Sequence, residues 1–162
     1  MTATDAGRCV PRHVAVLYHP RVDAARALAA DLADVLQARG ACVTAHDAWE
    51  WAPDEAAACR LDWVVSLGGD GTMLRTVRLA ACWGVPIVGV NFGRLAFLAE
   101  LEPADAIVQL PRLLDGEGRI EERMMLRCTA RTAVGDIAPI DALNDVFVGR
   151  GRVAHAVRLE VA

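Results

Sequence analysis

The residues of this chain best suited to chemistry are Gly68-Gly69-Asp70-Gly71-Thr72. Glycine lacks a Cβ, so its backbone can adopt positive φ and come close to a ligand. The run before it, Trp63-Val64-Val65-Ser66-Leu67, is short, apolar and β-branched, as in a buried strand. The run after it, Met73 to Trp83, sets Leu74, Val77 and Ala81 on one helical face with Arg75 and Arg78 beside it. A helix that starts at such a loop aims its unpaired N–H groups and positive dipole end at whatever lies above it, which suits phosphate. Asp70 would repel phosphate unless it holds Mg²⁺ or meets a hydroxyl about to attack phosphorus. The plainer alternative is a tight strand-to-helix turn in which Asp70 or Thr72 serves as N-cap. Arg75, one turn into the helix, is placed either for a phosphate or for solvent.

The elements that must position this loop follow from the rest of the chain. His13 to Tyr18 is expected as a first strand and His19-Pro20 as the turn after it. Asp23 then caps a helix that runs to about Arg39, with Leu28, Leu32, Val35 and Leu36 inward and Gly40 as its stop. Ala41 to Ala45 is a second strand, Trp49 and Trp51 are packing residues, and Pro53-Asp54 opens a short helix to about Arg60. Val85 to Val90 is a strand after the central helix. Strand and helix alternate throughout, which predicts an α/β fold with a parallel, Rossmann-like sheet covered on both faces. In such sheets ligands lie beyond the carboxyl ends of the strands, where the Gly68 loop and the Asn91–Glu100 loop both fall. Phe97 and Leu98 either pack that second loop down or contact a ligand.

Pro103 starts a further helix to about Leu114, with Ile107, Leu110 and Leu114 inward, and Asp115-Gly116-Glu117-Gly118 is a linker. Beyond it come β-runs at Met124–Arg131, Leu143–Val148 and Val153–Val161. The expected division is 1–118, an α/β nucleotide-binding domain, and 119–162, the beginning of an all-β domain cut short in mid-pattern.

Composition excludes several classes. With 162 residues and 54% hydrophobic content the chain can fill a sizeable core, and a net charge of −4 offers no nucleic-acid stripe. All 17 basic residues are arginine, so a Walker loop, a protein-kinase strand lysine and a Schiff base are ruled out. Gly84 to Gly89 has P-loop spacing but continues into Val90-Asn91. The single serine, Ser66, lies inside a strand, so no hydrolase elbow exists. Cys9, Cys42, Cys59, Cys82 and Cys128 form no Cys-x-x-Cys pair and fit a reducing, cytoplasmic setting; His13, His19, His46 and His155 show no metal spacing. Glu100/Glu102 and Glu121-Glu122 are expected as solvated surface and Met124-Met125 as core. No apolar run reaches the ~20 residues of a membrane span.

Gly68-Gly69-Asp70-Gly71-Thr72 resembles the signature shared by NAD kinases, diacylglycerol and sphingosine kinases, and phosphofructokinases. Val88-Gly89-Val90-Asn91-Phe92-Gly93-Arg94-Leu95-Ala96-Phe97-Leu98 and Ala142-Leu143-Asn144-Asp145-Val146 resemble the next two NAD kinase motifs, in order. Lipid kinases usually follow the loop with an asparagine–glutamate pair, where this chain has Met73-Leu74-Arg75. The resemblance to NAD kinases runs from about His13 to the end.

It implies transfer of a phosphoryl group from ATP or polyphosphate to the 2′-hydroxyl of the adenosine ribose of NAD. Asp70 would face that hydroxyl. Gly68, Gly69, Gly71, Thr72 and Arg75 would hold phosphates, with Mg²⁺ neutralising the donor. Asp70, Gly71, Phe97, Asn144 and Asp145 would bind NAD. A homo-oligomer is implied for the full length, with neither nucleic acid nor membrane as partner. Asp145 stands where the family usually has glutamate and Ala96 where it has glycine. A later family loop and most of the β domain are not in the sequence, so an inactive fragment is one expectation. The alternatives are a diacylglycerol-type lipid kinase and a non-catalytic nucleotide-binding fragment.

Overall fold

The computed structural model describes residues 13–52, 60–93, 97–132 and 135–147. Their order is β1 (His13–Tyr18), α1 (Asp23–Ala38), β2 (Cys42–Asp47), β3 (Trp63–Gly68), α2 (Asp70–Ala80), β4 (Ile87–Asn91), α3 (Pro103–Arg112), β5 (Leu126–Thr132) and β6 (Gly135–Ala142). The chain divides into two compact units, Met1–Glu121 and Glu122–Ala162.

In the first unit four strands form a parallel sheet in the order β2-β1-β3-β4. The continuous apolar runs of β1 and β3 follow from burial on both faces. Val14, Val16, Val65, Leu67 and Val90 pack with α1 and α3 through Leu28, Leu32, Ala106 and Leu110. Ala15, Leu17 and Val64 turn the other way, toward Ala80 of α2 and the half-buried Trp51 and Trp83. The expected α/β architecture with helices on both faces is the one observed.

Local details correct several expectations. Val22, not Asp23, is the N-cap of α1, and no side chain caps it. Asp23 is the first helical residue, so its carboxylate complements the helix dipole instead of accepting a capping bond. Gly40, at φ 90°, ends the helix as expected; its N–H donates to Gln37 and that of Ala41 to Leu36. Val35 is only half-buried, and Ala25 and Ala29 share the inner face with Leu28, Leu32 and Leu36. Helix α2 buries Thr72, Met73, Thr76, Val77 and Ala80, whereas Leu74 and Ala81 are exposed. The helix begins at Asp70 and its inner stripe includes two threonines, which a reading of apolar spacing alone passes over. The short helix expected at 53–60 lies almost wholly outside the described residues.

Leu32 is fully buried between α1 and the sheet. Leu32→Ala is therefore expected to lower unfolding free energy by about 3–5 kcal/mol, read as a fall in urea midpoint at constant slope. A loss below about 1 kcal/mol would show that the core collapses into the space.

The second unit contains an antiparallel hairpin of β5 and β6. β5 overlaps the expected Met124–Arg131 run, starting two residues later and ending one residue beyond it. β6 replaces the strand expected at Leu143–Val148; residues 143–147 form a bend and an irregular stretch instead. Gly135 at φ 131° opens β6, and the register slips by one residue between Cys128 and Ala130, opposite Pro139. That bulge accommodates a residue with no N–H to give the ladder, which is why a segment with Pro139, Asp136 and Asp141 is a strand against its sequence signals. The register pairs Arg127 with Asp141, bonded at 2.7 and 2.8 Å, and Arg131 with Asp136 at 3.2 Å. The Arg127 guanidinium holds the Asp141 carboxyl below its ordinary range. Met124 is exposed, not core. The run expected at Val153–Val161 lies outside the described residues.

Candidate functional site

The strand order turns back at β1: β2 lies on one side of it and β3 and β4 on the other. The carboxyl ends of β1 and β3 therefore meet where open α/β sheets form their ligand crevice. The Gly68 loop sits there, and the N–H of His19 donates to the carbonyl of Leu67 at 2.9 Å.

β3 ends at Gly68, Gly69 is the N-cap of α2, and Asp70 is its first residue. The N–H groups of Thr72 and Met73 donate to the Gly69 carbonyl at 2.9 and 3.1 Å. The amides of Asp70 and Gly71 have no intrahelical partner, and the positive end of the dipole stands above them. Neither Asp70 nor Thr72 is an N-cap, so the plain capping alternative does not describe this turn.

The glycines act differently from one another. None of Gly68, Gly69 and Gly71 has positive φ, so the loop does not use the left-handed freedom that glycine allows. A Cβ on Gly68 would lie 2.1 Å from Thr72 Oγ1, so Gly68 is required by close packing. A Cβ on Gly69 or Gly71 would meet nothing within 4 Å, so these two leave open space over the helix end.

Thr72 is 1% exposed and its Oγ1 has no hydrogen-bond partner among the described residues. Thr76 Oγ1 donates to the Thr72 carbonyl at 2.9 Å and shares a hydrogen bond with the Ser66 hydroxyl at 3.1 Å. Ser66 thus braces α2 against β3, a role its place inside an apolar run does not announce. A buried hydroxyl without a partner is destabilising. Thr72→Val is expected to raise unfolding free energy by about 1 kcal/mol, measurable as a higher urea midpoint. A stability loss would show that the hydroxyl is satisfied in solution.

The Asn91–Glu100 loop is fastened at both ends and in its middle. The N–H of Phe92 donates to Gly68, and that of Asn91 to Leu101 at 2.8 Å. Asn91 Oδ1 accepts from Gly93 N–H at 2.8 Å. Glu100 accepts from Gly89 N–H at 2.9 Å, and Glu102 from the Asn91 amide at 3.5 Å. Both residues are exposed, as expected of a solvated surface, and their carboxylates also anchor the loop. Asp70 Oδ1 accepts from the N–H groups of Phe97 and Leu98 at 3.2 and 3.3 Å. Leu98 is buried, whereas the Phe97 ring is 81% exposed. The two alternatives left open by the sequence are therefore divided: Leu98 packs the loop down and Phe97 stands free beside Asp70.

Arg75 is half-buried and directs its guanidinium at the turn after β2, with Nε 3.1 Å from the Ala48 carbonyl and Nη2 3.1 Å from that of Trp49. These bonds engage two of its five N–H donors. Trp49 in turn meets His19 edge-on at 4.7 Å between ring centres. Asn144 and Asp145 belong to the second unit, exposed after β6. Ala96 lies outside the described residues. Among the described residues no three His, Cys, Asp or Glu side chains are grouped to hold a metal ion, and no helix is long and apolar enough to cross a membrane.

Comparison with known proteins places this architecture. An NAD kinase of Symbiobacterium thermophilum is 40% identical over 135 residues, covering 78% of this chain and 48% of the relative. An NAD kinase of Moorella thermoacetica is 40% identical over 155 residues, covering 91% and 49%. The chain thus spans about half the length of these curated relatives. The crystal structure of yeast NADH kinase complexed with NADH superposes with a TM-score of 0.75 at 19% identity, covering 89% of this chain and 50% of that one, a likeness of fold. The family model of the ATP-NAD kinase N-terminal domain matches residues 27–118, from within α1 through the glycine loop to beyond α3, and the chain belongs to the NAD kinase family.

Proposed function

We propose that the protein serves the phosphorylation of NAD, in which a phosphoryl group passes from ATP, or polyphosphate, to the 2′-hydroxyl of the adenosine ribose to give NADP. The observation that carries this reading is Asp70 in the first turn of α2, between two glycines whose Cβ directions are open and beside an exposed Phe97. Family membership favours a dinucleotide alcohol over the membrane-borne alcohol of a lipid kinase.

Phosphoryl transfer depends on positioning and on stabilising charge over the transferred group. In this reading the amides of Asp70 and Gly71 and the dipole of α2 bind donor phosphate over the open space at Gly69 and Gly71. Thr72 offers its unpartnered hydroxyl if the first turn shifts, and Arg75 retains donors not engaged by the 48–49 carbonyls. The Asp70 carboxylate is held by the Phe97 and Leu98 amides through Oδ1, which leaves Oδ2 with only a 3.4 Å contact to Phe97. That oxygen accepts the hydrogen bond of the acceptor hydroxyl, orients it and takes its proton as it attacks. Phe97 supplies an apolar surface to the dinucleotide; Asn144 and Asp145 supply an amide and a carboxylate for its hydroxyls or amide. A single carboxylate at the loop fits Mg²⁺, which binds through one or two carboxylates with substrate phosphates, and which supplies charge neutralisation at the donor. Unpaired Cys42, Cys82 and Cys128 suit the reducing cytoplasm, where we place the protein.

The test is NADP⁺ formation from NAD⁺, Mg²⁺ and ATP or polyphosphate by the purified protein, read through an NADP-specific dehydrogenase. Steady NADP⁺ formation is the expected result. Absence of turnover together with absence of NAD⁺ and ATP binding would overturn the reading, and binding without turnover would make the chain a nucleotide-binding module.

A further inference from the structure

A second concavity opens at the carboxyl ends of β1 and β2, with a volume of ≈ 300 Å³ and a lining that includes Tyr18, His46, Asp47, Glu50 and Trp51. Ligand pockets span about 300–1,000 Å³, so this one suits a single ring system and not a dinucleotide. The His46 and Trp51 rings stack at 5.6 Å with 26° between their planes, and Trp83 supports Trp51 edge-on at 5.8 Å. Burial holds the His46 imidazole below its ordinary pKa, so it is neutral at neutral pH. The pocket therefore combines a fixed aromatic wall with two carboxylates, and ionised carboxylates only accept hydrogen bonds. Its complement is a flat, uncharged ring that carries N–H donors at its edge.

The position of the pocket adds the rest. Asp47 pairs in register with Tyr18, and Tyr18 with Leu67, the residue before Gly68. Pocket and glycine loop are thus two strand spacings apart, about 10 Å, which a ribose and its first phosphates can bridge. Arg75 joins them physically, because it leaves the helix of the loop and holds the Ala48 and Trp49 carbonyls just before the pocket residues Glu50 and Trp51. We propose that this pocket binds an adenine ring, stacked on the His46–Trp51 wall with its exocyclic amine donating to Asp47 or Glu50, on a nucleotide whose phosphates reach the Gly68–Thr72 loop. The inference rests on the phosphate reading of that loop. The ring belongs either to the phosphoryl donor or to NAD.

Calorimetric titration of the full chain with ADP, inosine diphosphate, inorganic tripolyphosphate and NAD⁺ tests it, with His46→Ala and Glu50→Gln alongside and the urea midpoint of each variant as a folding control. Loss of a base–aromatic contact predicts ADP binding weaker by about tenfold or more in His46→Ala, with tripolyphosphate binding unchanged. Inosine diphosphate, which lacks the amine, is expected to bind more weakly than ADP to the unaltered chain, and Glu50→Gln to narrow that gap. ADP is also expected to quench tryptophan emission, with the quench diminished in Trp51→Phe, a variant that keeps an aromatic ring in place. If NAD⁺ instead of ADP loses affinity in His46→Ala, the adenine is that of the acceptor. Retention of full affinity for both in His46→Ala overturns the proposal. If tripolyphosphate binds and ADP binds no tighter, the pocket proposal fails while the phosphate reading stands. If ADP binds in a His46-dependent way and tripolyphosphate does not bind, the phosphate reading fails and the pocket stands.

Discussion

Asp70→Asn is expected to lower phosphoryl transfer to NAD by about 10²–10⁴-fold, the range for loss of a positioned acid–base group. The loop beside it should stay in place. Oδ1 of the aspartate accepts from both Phe97 and Leu98, and the amide oxygen of asparagine can take over those two bonds. The outward oxygen becomes an NH₂ group, which cannot accept a proton. Asp70→Ala removes both functions. It should match the loss of turnover and, in addition, release the Phe97 and Leu98 amides to faster hydrogen exchange. The bonds are 3.2 and 3.3 Å long, so the stability loss on Asp70→Ala should be about 1 kcal/mol. Comparison of the two variants therefore separates chemistry from loop placement. Activity within threefold of the original in Asp70→Asn would remove Asp70 from the reaction and leave it only the task of holding the loop.

The parallel sheet was legible because its evidence is local and repeated. β1 and β3 are apolar on both faces, and Gly40 stops α1 with the left-handed geometry for which glycine is suited. The glycine loop was legible as a candidate site and as a strand-to-helix junction because three glycines around one acid stand between an apolar run and a helical pattern. What escaped was set by contacts far apart in sequence. Ser66 and Thr76 bond across ten positions, Arg75 reaches back to Ala48 and Trp49, and Glu100 reaches Gly89. No periodicity marks such pairs. The inner stripe of α2 was misread because Thr72 and Thr76 are polar by type yet buried by contact. β6 was missed because Pro139 and two aspartates oppose strand signals, and only its pairing with β5 decides the outcome. The aromatic pocket was hidden for a related reason: His46 lies in β2 and Trp51 beyond it, and their stacking exists only once the turn after β2, closed by the Trp51 N–H on the Asp47 carbonyl, brings the rings together.

The second large effect is expected at Gly68, and it distinguishes glycines that serve the fold from those that serve the ligand. A Cβ there would lie 2.1 Å from Thr72 Oγ1 and 2.6 Å from Thr72 Cβ. Rotation of the threonine cannot relieve the second contact, because Cβ is fixed to the helix backbone. Gly68→Ala must therefore push the first turn of α2 away from β3, with a stability loss of about 1–3 kcal/mol or more. Removal of the hydroxyl and methyl in Gly68→Ala/Thr72→Ala should restore only part of it, since the 2.6 Å contact remains. Gly71→Ala should behave in the opposite way. Gly71 lies inside the helix with nothing within 4 Å of its Cβ direction, so alanine there is expected to stabilise by about 0.5–1 kcal/mol through helix propensity. It should nonetheless weaken nucleotide binding, because its methyl enters the open space assigned to phosphate. Urea midpoints and ADP titrations on these variants give the comparison. Equal ADP affinity in Gly71→Ala would show that phosphate does not approach the loop from that side. A Gly68→Ala variant as stable as the original would show that β3 and α2 can part at their junction without loss, and the close packing of Gly68 on Thr72 would then no longer account for glycine at that position.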